Sequence, residues 1–137
     1  MKLLFGSHST HLNSFGLLLL RVFAGLSMAF AHGLGKVPVS DKFIAGVENL
    51  GLPAAAFFAW AAALSELIGG MLVALGLITK PSAFFLTITM LVAAFGRHWA
   101  DPYGSKEKAL LFGVIFLYIF IQGGGKWSLD TLFTKKK

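Results

Sequence analysis

The sequence predicts an all-α integral membrane protein, and three observations lead to this fold class. Hydrophobic residues make up 56% of the 137 residues, charged residues make up 13%, and the mean hydropathy is +0.76. This composition differs from that of an ordinary soluble domain. Four apolar runs also approach the roughly 20 helical residues that cross a hydrocarbon core. We therefore expect a single domain over residues 1–137, built as a transmembrane four-helix bundle with a short interfacial helix between the first and second spans.

The first predicted span covers residues 15–34. Asn13 and Ser14 are residue types that favour the start of a helix, and the glycine at position 33 favours its end. The following stretch, 37–53, is too polar to cross a membrane, but its apolar residues fall on one helical face. This pattern predicts an amphipathic helix lying at the interface. The apolar residues are Phe43, Ile44, Val47 and Leu50.

The second and third predicted spans, 54–78 and 81–100, are joined by a very short connection. Pro81 suits the first turn of a helix, and helices joined this closely must run antiparallel and touch. A polar loop containing Asp101-Pro102 then leads to the fourth span, 109–124, which is the shortest. A run of three glycines ends it.

Four crossings place both termini on one side of the membrane. Six basic residues lie on that side and five on the other, a bias that favours cytoplasmic termini. The net charge of +6 is dispersed around apolar spans, so it indicates attraction to anionic lipid headgroups and not to nucleic acid. Arg21 interrupts the only stretch that resembles a signal peptide, so we expect no cleavage. The basic residues on the terminal side are Lys2, Lys80, Lys126, Lys135, Lys136 and Lys137.

Glu66 is the most informative polar residue, because it lies inside the second apolar run. An ionisable side chain at bilayer depth costs roughly 2.5 to 3.5 kcal/mol on insertion scales, so it tends to face a partner or a cavity. Arg21 lies on a charged stripe of the first helix, and helical rise brings it within reach of Glu66. Two arrangements remain open: Arg21 pairs with Glu66, or it extends towards the nearer headgroups.

His32 and His98 are predicted at similar depths, near the face that bears the two long loops. In one interpretation, Trp60 and the charged residues at this level form an interfacial belt that anchors the helices. In the other, they line a polar pocket in which the histidines relay protons or bind a quinone carbonyl. A haem held by both histidines is the less favoured form of that pocket. The remaining residues at this level are Arg97, Trp99, Asp101 and Glu107.

Tyr118 and Gln122 share one face of the fourth helix and are candidates to complete the lining of a cavity, although such residues more often bond across helix interfaces. The sequence contains no cysteine, which excludes thiol–disulfide exchange within this chain. Redox chemistry would therefore need a bound cofactor or a partner subunit. No metal-ligand cluster, phosphate loop or nucleophile triad is visible in the sequence.

Three segments of the sequence together resemble the DoxX family of small four-helix bacterial membrane proteins. They are LLLRVFAGLSMAFAHGLGKV, ELIGGMLVALGLITKPSA and GGGKWSLD. The resemblance covers almost the whole chain and implies a location in the bacterial inner membrane. It places the recurring features of the family at Arg21, Gly33, Lys36, Glu66, Gly69, Gly70, Pro81, Ser128, Leu129 and Asp130.

DoxX-like proteins are associated with quinone-linked oxidoreductases and with membrane assemblies related to oxidative stress. The resemblance therefore implies a subunit of one of these two kinds of assembly. In this hypothesis Glu66 with His32 or His98 relays protons, and Arg21 keeps Glu66 ionised. Trp60, His98, Tyr118 and Gln122 are the candidate lining of the quinone cavity. Partner oxidoreductase subunits or a homo-oligomer are compatible with it. The competing hypotheses are a protein that binds or transports a small molecule or lipid, and a purely structural subunit.

Overall fold

A computed structural model describes residues 10–134, and all regular secondary structure in this part of the chain is helical. The predicted all-α class is therefore confirmed for these residues, and the predicted basic tail at 135–137 lies outside them. Several of the helices continue into π-helical turns. The α-helices are α1 (Thr10–Leu26), α2 (Asp41–Glu48), α3 (Ala55–Leu64), α4 (Gly70–Leu75), α5 (Thr79–Leu91), α6 (Tyr103–Gln122) and α7 (Asp130–Thr134).

Helix α1 continues without a break through a π-helical segment, Ser27–Gly33, and a 3₁₀ turn, Leu34–Lys36. The glycine at position 33, predicted to end the helix, is instead helical and buried. A Cβ atom there would lie 2.8 Å from the carbonyl carbon of Glu66. Its missing side chain is therefore needed for the close approach of a neighbouring helix, and the helix ends only after Lys36.

Helix α2 begins at an N-cap serine, Ser40, whose hydroxyl oxygen accepts a hydrogen bond from the backbone N–H of Phe43 at 3.3 Å. Val47 is buried, and Phe43, Ile44 and Leu50 are half-buried. These four residues form one face, as the sequence pattern predicted, and α2 packs against α3.

The second and third predicted spans each form one continuous helical rod. Helix α3, a π-helical segment at Ser65–Gly69 and α4 follow one another without interruption. Gly76 ends this rod in the left-handed conformation, at φ +71°, where a glycine carries no steric penalty. Helix α5 starts immediately afterwards and continues through the π-helical segment Val92–Arg97, so both rods are slightly shorter than predicted.

Helix α6 packs along α5 and begins earlier than the predicted start at residue 109, because the polar segment before it is also helical. After α6 the chain returns to the turn between α4 and α5. The carboxylate of Asp130 accepts hydrogen bonds from the backbone N–H groups of Ile78 at 2.7 Å and Thr79 at 3.0 Å. Its own N–H donates to the carbonyl of Gly76 at 2.8 Å, so the segment after α6 is tied to this turn.

Helices α1 and α4 approach each other closely through glycines. A Cβ atom on Gly70 would lie 2.7 Å from the carbonyl oxygen of Gly25 and 2.9 Å from the backbone nitrogen of Ala29. Small residues at such crossings let two backbones pack directly, as in membrane helix pairs. Larger side chains such as Leu86 and Phe116 fill the core beside this contact.

Three helices within the described residues are long and apolar enough to cross a membrane: His11–Lys36, Ala55–Leu75 and Thr79–Arg97. Large apolar side chains point outwards from them, with Phe23 73% exposed and Phe57 67% exposed. An apolar exterior of this kind is expected where lipid, and not water, is the surrounding medium.

Candidate functional site

A cavity of about 550 Å³ opens where α1, α5 and their π-helical continuations meet α2 and the start of α6. Its volume is in the range of small-molecule sites. One side of the lining is apolar, and the other is polar with an excess of basic residues. The apolar and aromatic lining residues are Met28, Phe43, Met90, Ala93, Ala109 and Phe112, and the polar ones are His32, Lys36, Ser40, Lys42, Glu66, Arg97, His98, Ser105 and Lys108.

Each of the three membrane-length helices changes from α to π geometry where it reaches this cavity. His32 lies in the first π-helical segment, Glu66 in the second and Arg97 in the third. A π-helical turn holds an extra residue and so turns the side chains after it to new directions, which is why such turns occur frequently at functional sites. The cavity is therefore built where three helices depart together from regular α geometry.

The deepest polar feature of the cavity is an ion pair between Lys36 and Glu66. The Lys36 ammonium donates to both carboxylate oxygens of Glu66, at 2.7 and 2.6 Å. Glu66 is 2% exposed, whereas the Lys36 side chain is 33% exposed and its Nζ also lies 5.4 Å from the centre of the Phe43 ring. A buried carboxylate needs such a partner because its unpaired charge would be strongly unfavourable in an apolar interior.

The two histidines lie on the wall of this same cavity. The His32 ring packs edge-on against Phe112, with 5.7 Å between ring centres. Nδ1 of His98 lies 2.6 Å from a carboxylate oxygen of Asp101. The side chains able to exchange protons with a bound molecule are thus Glu66, Lys36 and the two histidines, distributed around one opening.

Arg21 takes no part in the cavity, contrary to the predicted pairing with Glu66. Its Nη1 donates to the carbonyls of Val73 at 3.0 Å and Ala74 at 2.8 Å, and its Nη2 donates to the carbonyl of Trp127 at 2.8 Å. Because α1 crosses α4, Arg21 lies beside the C-terminal end of α4. Glu66 lies about seven residues earlier on the same rod, which corresponds to roughly 10 Å along the helix axis. Snorkelling to the headgroups is wrong as well, because Arg21 is 1% exposed.

The other predicted lining residues do not gather in one place. Tyr118 and Gln122 line a second cavity, of about 570 Å³, between the start of α1 and the end of α6. Trp60 is 41% exposed and lines neither of the two cavities. Of the four predicted residues, only His98 belongs to the cavity that contains Glu66. The described residues also contain no group of three or more histidine, cysteine or acidic side chains able to hold a metal ion.

Lys36 is the site residue that the sequence-based assignment left out. Its position was visible in the sequence, because it lies on the same helical stripe as Arg21 and His32, one helical turn beyond the histidine. The distance argument favoured the arginine because it treated the first helix as ending near residue 34. The structure extends that helix to Lys36, which brings a cation to the depth of Glu66.

The fold and the site together define a class: a small helical membrane protein with a polar cavity close to one end of its helices. The chain belongs to the DoxX family, whose model matches residues 16–99. This confirms the resemblance seen in the sequence. A comparison with solved structures gives no significant match.

Three relatives illustrate what is known of similar proteins. The chain is 32% identical over 123 residues to a Bacillus subtilis protein named "Putative oxidoreductase CatD", and the match covers 89% of the chain and 90% of that protein. It is 31% identical to an uncharacterised membrane protein of Mycobacterium tuberculosis, covering 85% of the chain and 80% of that protein. An uncharacterised Haemophilus influenzae protein is 37% identical over 82 residues, which is 55% of the chain and 61% of that protein's length.

Proposed function

We propose that this DoxX-family protein is an inner-membrane subunit of a quinone-linked oxidoreductase assembly, and that its cavity binds the quinone headgroup. The observation behind the proposal is the ion pair between Lys36 and the buried carboxylate of Glu66, which lies in a cavity with both apolar and polar walls. The name of the Bacillus subtilis relative, which includes the word oxidoreductase, is consistent with this role.

The chemistry of a quinone matches this lining. A quinone ring is flat and apolar, so it packs against Met28, Met90 and Phe112 on the apolar side. Its carbonyl oxygens need hydrogen-bond donors, which His32 and Lys36 provide. Reduction of the quinone to the hydroquinone adds two electrons and takes up two protons at these oxygens. His32 and His98 line the same cavity, and an imidazole N–H can donate to such oxygens.

The chain contains no cysteine, so the electrons need either a bound cofactor or a partner subunit as their source, and we favour the partner subunit. We therefore place a redox-active partner subunit in the assembly. In this arrangement α6 is the fourth membrane span, completing a four-helix bundle over a single domain, and α2 lies at the interface. With both termini cytoplasmic, the cavity opens towards the periplasmic face.

Quinone binding by the purified protein tests the proposal directly. We expect the wild-type protein in a mild detergent to bind decylubiquinone, and Glu66→Gln to bind it about tenfold more weakly, as for the loss of one charge-assisted interaction. Equilibrium dialysis measures the affinity. Glu107→Gln is the matched control, because it removes the same charge from an exposed position of α6 that does not line the cavity.

Two outcomes would exclude the quinone function. One is equal decylubiquinone affinity in wild type, Glu66→Gln and Glu107→Gln. The other is unchanged quinone reduction by the intact assembly when Glu66→Gln and His98→Ala are both present. Solute flux into liposomes that contain this chain alone would instead favour the competing transport function, since an ionisable group in a membrane cavity serves a transporter equally well.

A further inference from the structure

Basic residues from three separate elements surround the mouth of the cavity. Lys42 lies on α2, Arg97 ends the π-helical continuation of α5, and Lys108 lies on α6. All three are exposed, unlike the ion pair below them. We refer to these three residues as the basic rim.

The basic rim has no carboxylate partner among the described residues. The only acidic side chain that lines the cavity is Glu66, and it already binds Lys36. The other ion pair of the described chain joins His98 to Asp101. The rim thus leaves three positive charges at one opening, where they repel one another unless an anion lies between them.

The Arg97 side chain lies close to the neighbouring helix α2. Its Nη1 lies so near the backbone of α2 that a Cβ atom added at Gly46 would be only 2.9 Å away. The guanidinium thus lies near α2, the helix that also carries Lys42, and both residues line the cavity. A positioned guanidinium binds carboxylates in a two-point geometry, which an ammonium group does not offer.

We propose that the basic rim binds a small organic acid with two or more carboxylates, which enters from the aqueous side. The three cations stand on three walls of a cavity of about 550 Å³, so an anion with separated charges contacts more of them than a compact ion does. This site lies above the Lys36–Glu66 pair and does not depend on quinone binding. It adds a water-soluble ligand to the function proposed for the base of the cavity.

Succinate binding to the full-length protein in a nonionic detergent is the test, measured by isothermal titration calorimetry. We expect succinate to bind more tightly than acetate or sulfate, and its affinity to fall as salt is added. Arg97→Gln and Lys108→Gln should each weaken it about tenfold. Lys106→Gln is the matched control, because it removes one positive charge from α6 at a residue that does not line the cavity and instead donates to the Trp99 carbonyl at 3.1 Å.

Three results would overturn the inference. The first is unchanged succinate affinity in both rim variants. The second is sulfate binding as tight as succinate binding, which would assign the rim to compact oxyanions. The third is loss of succinate binding in nanodiscs that contain phosphatidylglycerol but not in those of phosphatidylcholine, which would assign the rim to lipid phosphate. If Arg97→Gln is unstable, Arg97→Lys takes its place as the test, because it keeps the positive charge but lacks the two-point geometry of a guanidinium. A succinate affinity between those of wild type and Arg97→Gln would then indicate a local effect and not misfolding.

The quinone function and the basic rim site can be disproved independently of each other. Glu66→Gln should weaken the binding of decylubiquinone but not of succinate, because it removes a negative charge from the cavity and leaves the three cations of the basic rim in place. Lys108→Gln should do the reverse. If the wild-type protein binds succinate but not decylubiquinone, only the quinone function is ended, and if it binds decylubiquinone but not succinate, only the basic rim site is ended.

Discussion

Arg21 and Glu66 are both buried ionisable residues in membrane-length helices, yet their surroundings differ at the two ends of the protein. Arg21 donates to three backbone carbonyls and lines neither of the two cavities described above. Glu66 binds one flexible lysine and lines a cavity of about 550 Å³. Burial alone therefore does not distinguish these two charged side chains. Their bonding partners and the space beside them differ.

At the Arg21 end of the protein, charged side chains bind backbone groups at the ends of helices. Val73 and Ala74 lie in the last turn of α4, where the Val73 carbonyl also accepts from the backbone N–H of Gly76 at 3.1 Å and a cation interacts well with the helix dipole. The Asp130 carboxylate satisfies the N–H groups at the start of α5 nearby. At the Glu66 end, three π-helical segments and an open cavity replace these contacts. Arg21 is thus enclosed by backbone groups, whereas Glu66 borders an open cavity.

Replacing Arg21 should have the largest effect on stability. We expect Arg21→Met to lower the free energy of unfolding by about 4 kcal/mol, because three buried carbonyl contacts to a charged donor are lost together. Unfolding by sodium dodecyl sulfate in mixed micelles measures the change. The exposed Arg97→Met is the control and should change it by less than about 0.5 kcal/mol. If Arg21→Met unfolds like the wild-type protein, the structural role assigned to Arg21 is contradicted.

Separating the ion pair should have a smaller effect, and one that a second substitution reverses. Lys36→Met leaves the Glu66 carboxylate unpaired and should cost about 2 kcal/mol, less than at a fully closed site because the cavity admits water. The double variant Lys36→Met, Glu66→Leu should recover most of this loss while still failing to bind decylubiquinone. Additive losses in the double variant would show that the two side chains are not coupled.

The smallest expected effect comes from the glycine that lets α1 approach Glu66. We expect Gly33→Ala to destabilise by about 1 kcal/mol, because the added Cβ meets the backbone of Leu67 and Glu66, while alanine itself favours the helix. Gly35→Ala is the control, since nothing lies within 4 Å of its Cβ position. Melting temperatures and decylubiquinone affinity of the two variants give the comparison. Equal values for both would contradict the close approach.

Composition and hydrophobic runs were sufficient to predict an all-α protein with membrane-length helices, because these features depend on local sequence. The amphipathic helix α2 followed equally from its periodic apolar residues. The partner of Glu66 did not follow, because it depends on how far α1 extends and on the level at which α1 crosses α4. Gly25 and Gly70 fix that level, and their role as a backbone contact emerges only when both helices are placed.

The grouping of Tyr118 and Gln122 with His98 was wrong for a related reason. The sequence indicates which residues share a face of α6, but not which end of that helix borders each cavity. Lys108 reaches the first cavity from the start of α6, whereas Gln122 reaches the second from its end. Helical rise from Lys108 to Gln122 separates these two positions by roughly 20 Å, so one helix contributes to two separate cavities.

Helix α1 is attached to the α3–α4 rod at two points, Arg21 beside the end of α4 and Lys36 at Glu66. The π-helical segment Ser27–Gly33 lies between these points. Each residue of a helix turns the chain by about 100°, so deleting or inserting one residue between the two attachments would rotate one of them away from its partner. The two contacts therefore fix the number of residues between Arg21 and Lys36. Substitution within this interval is limited mainly at the close-packed Gly25 and Gly33, whereas a change in its length would cost the protein one of the two contacts.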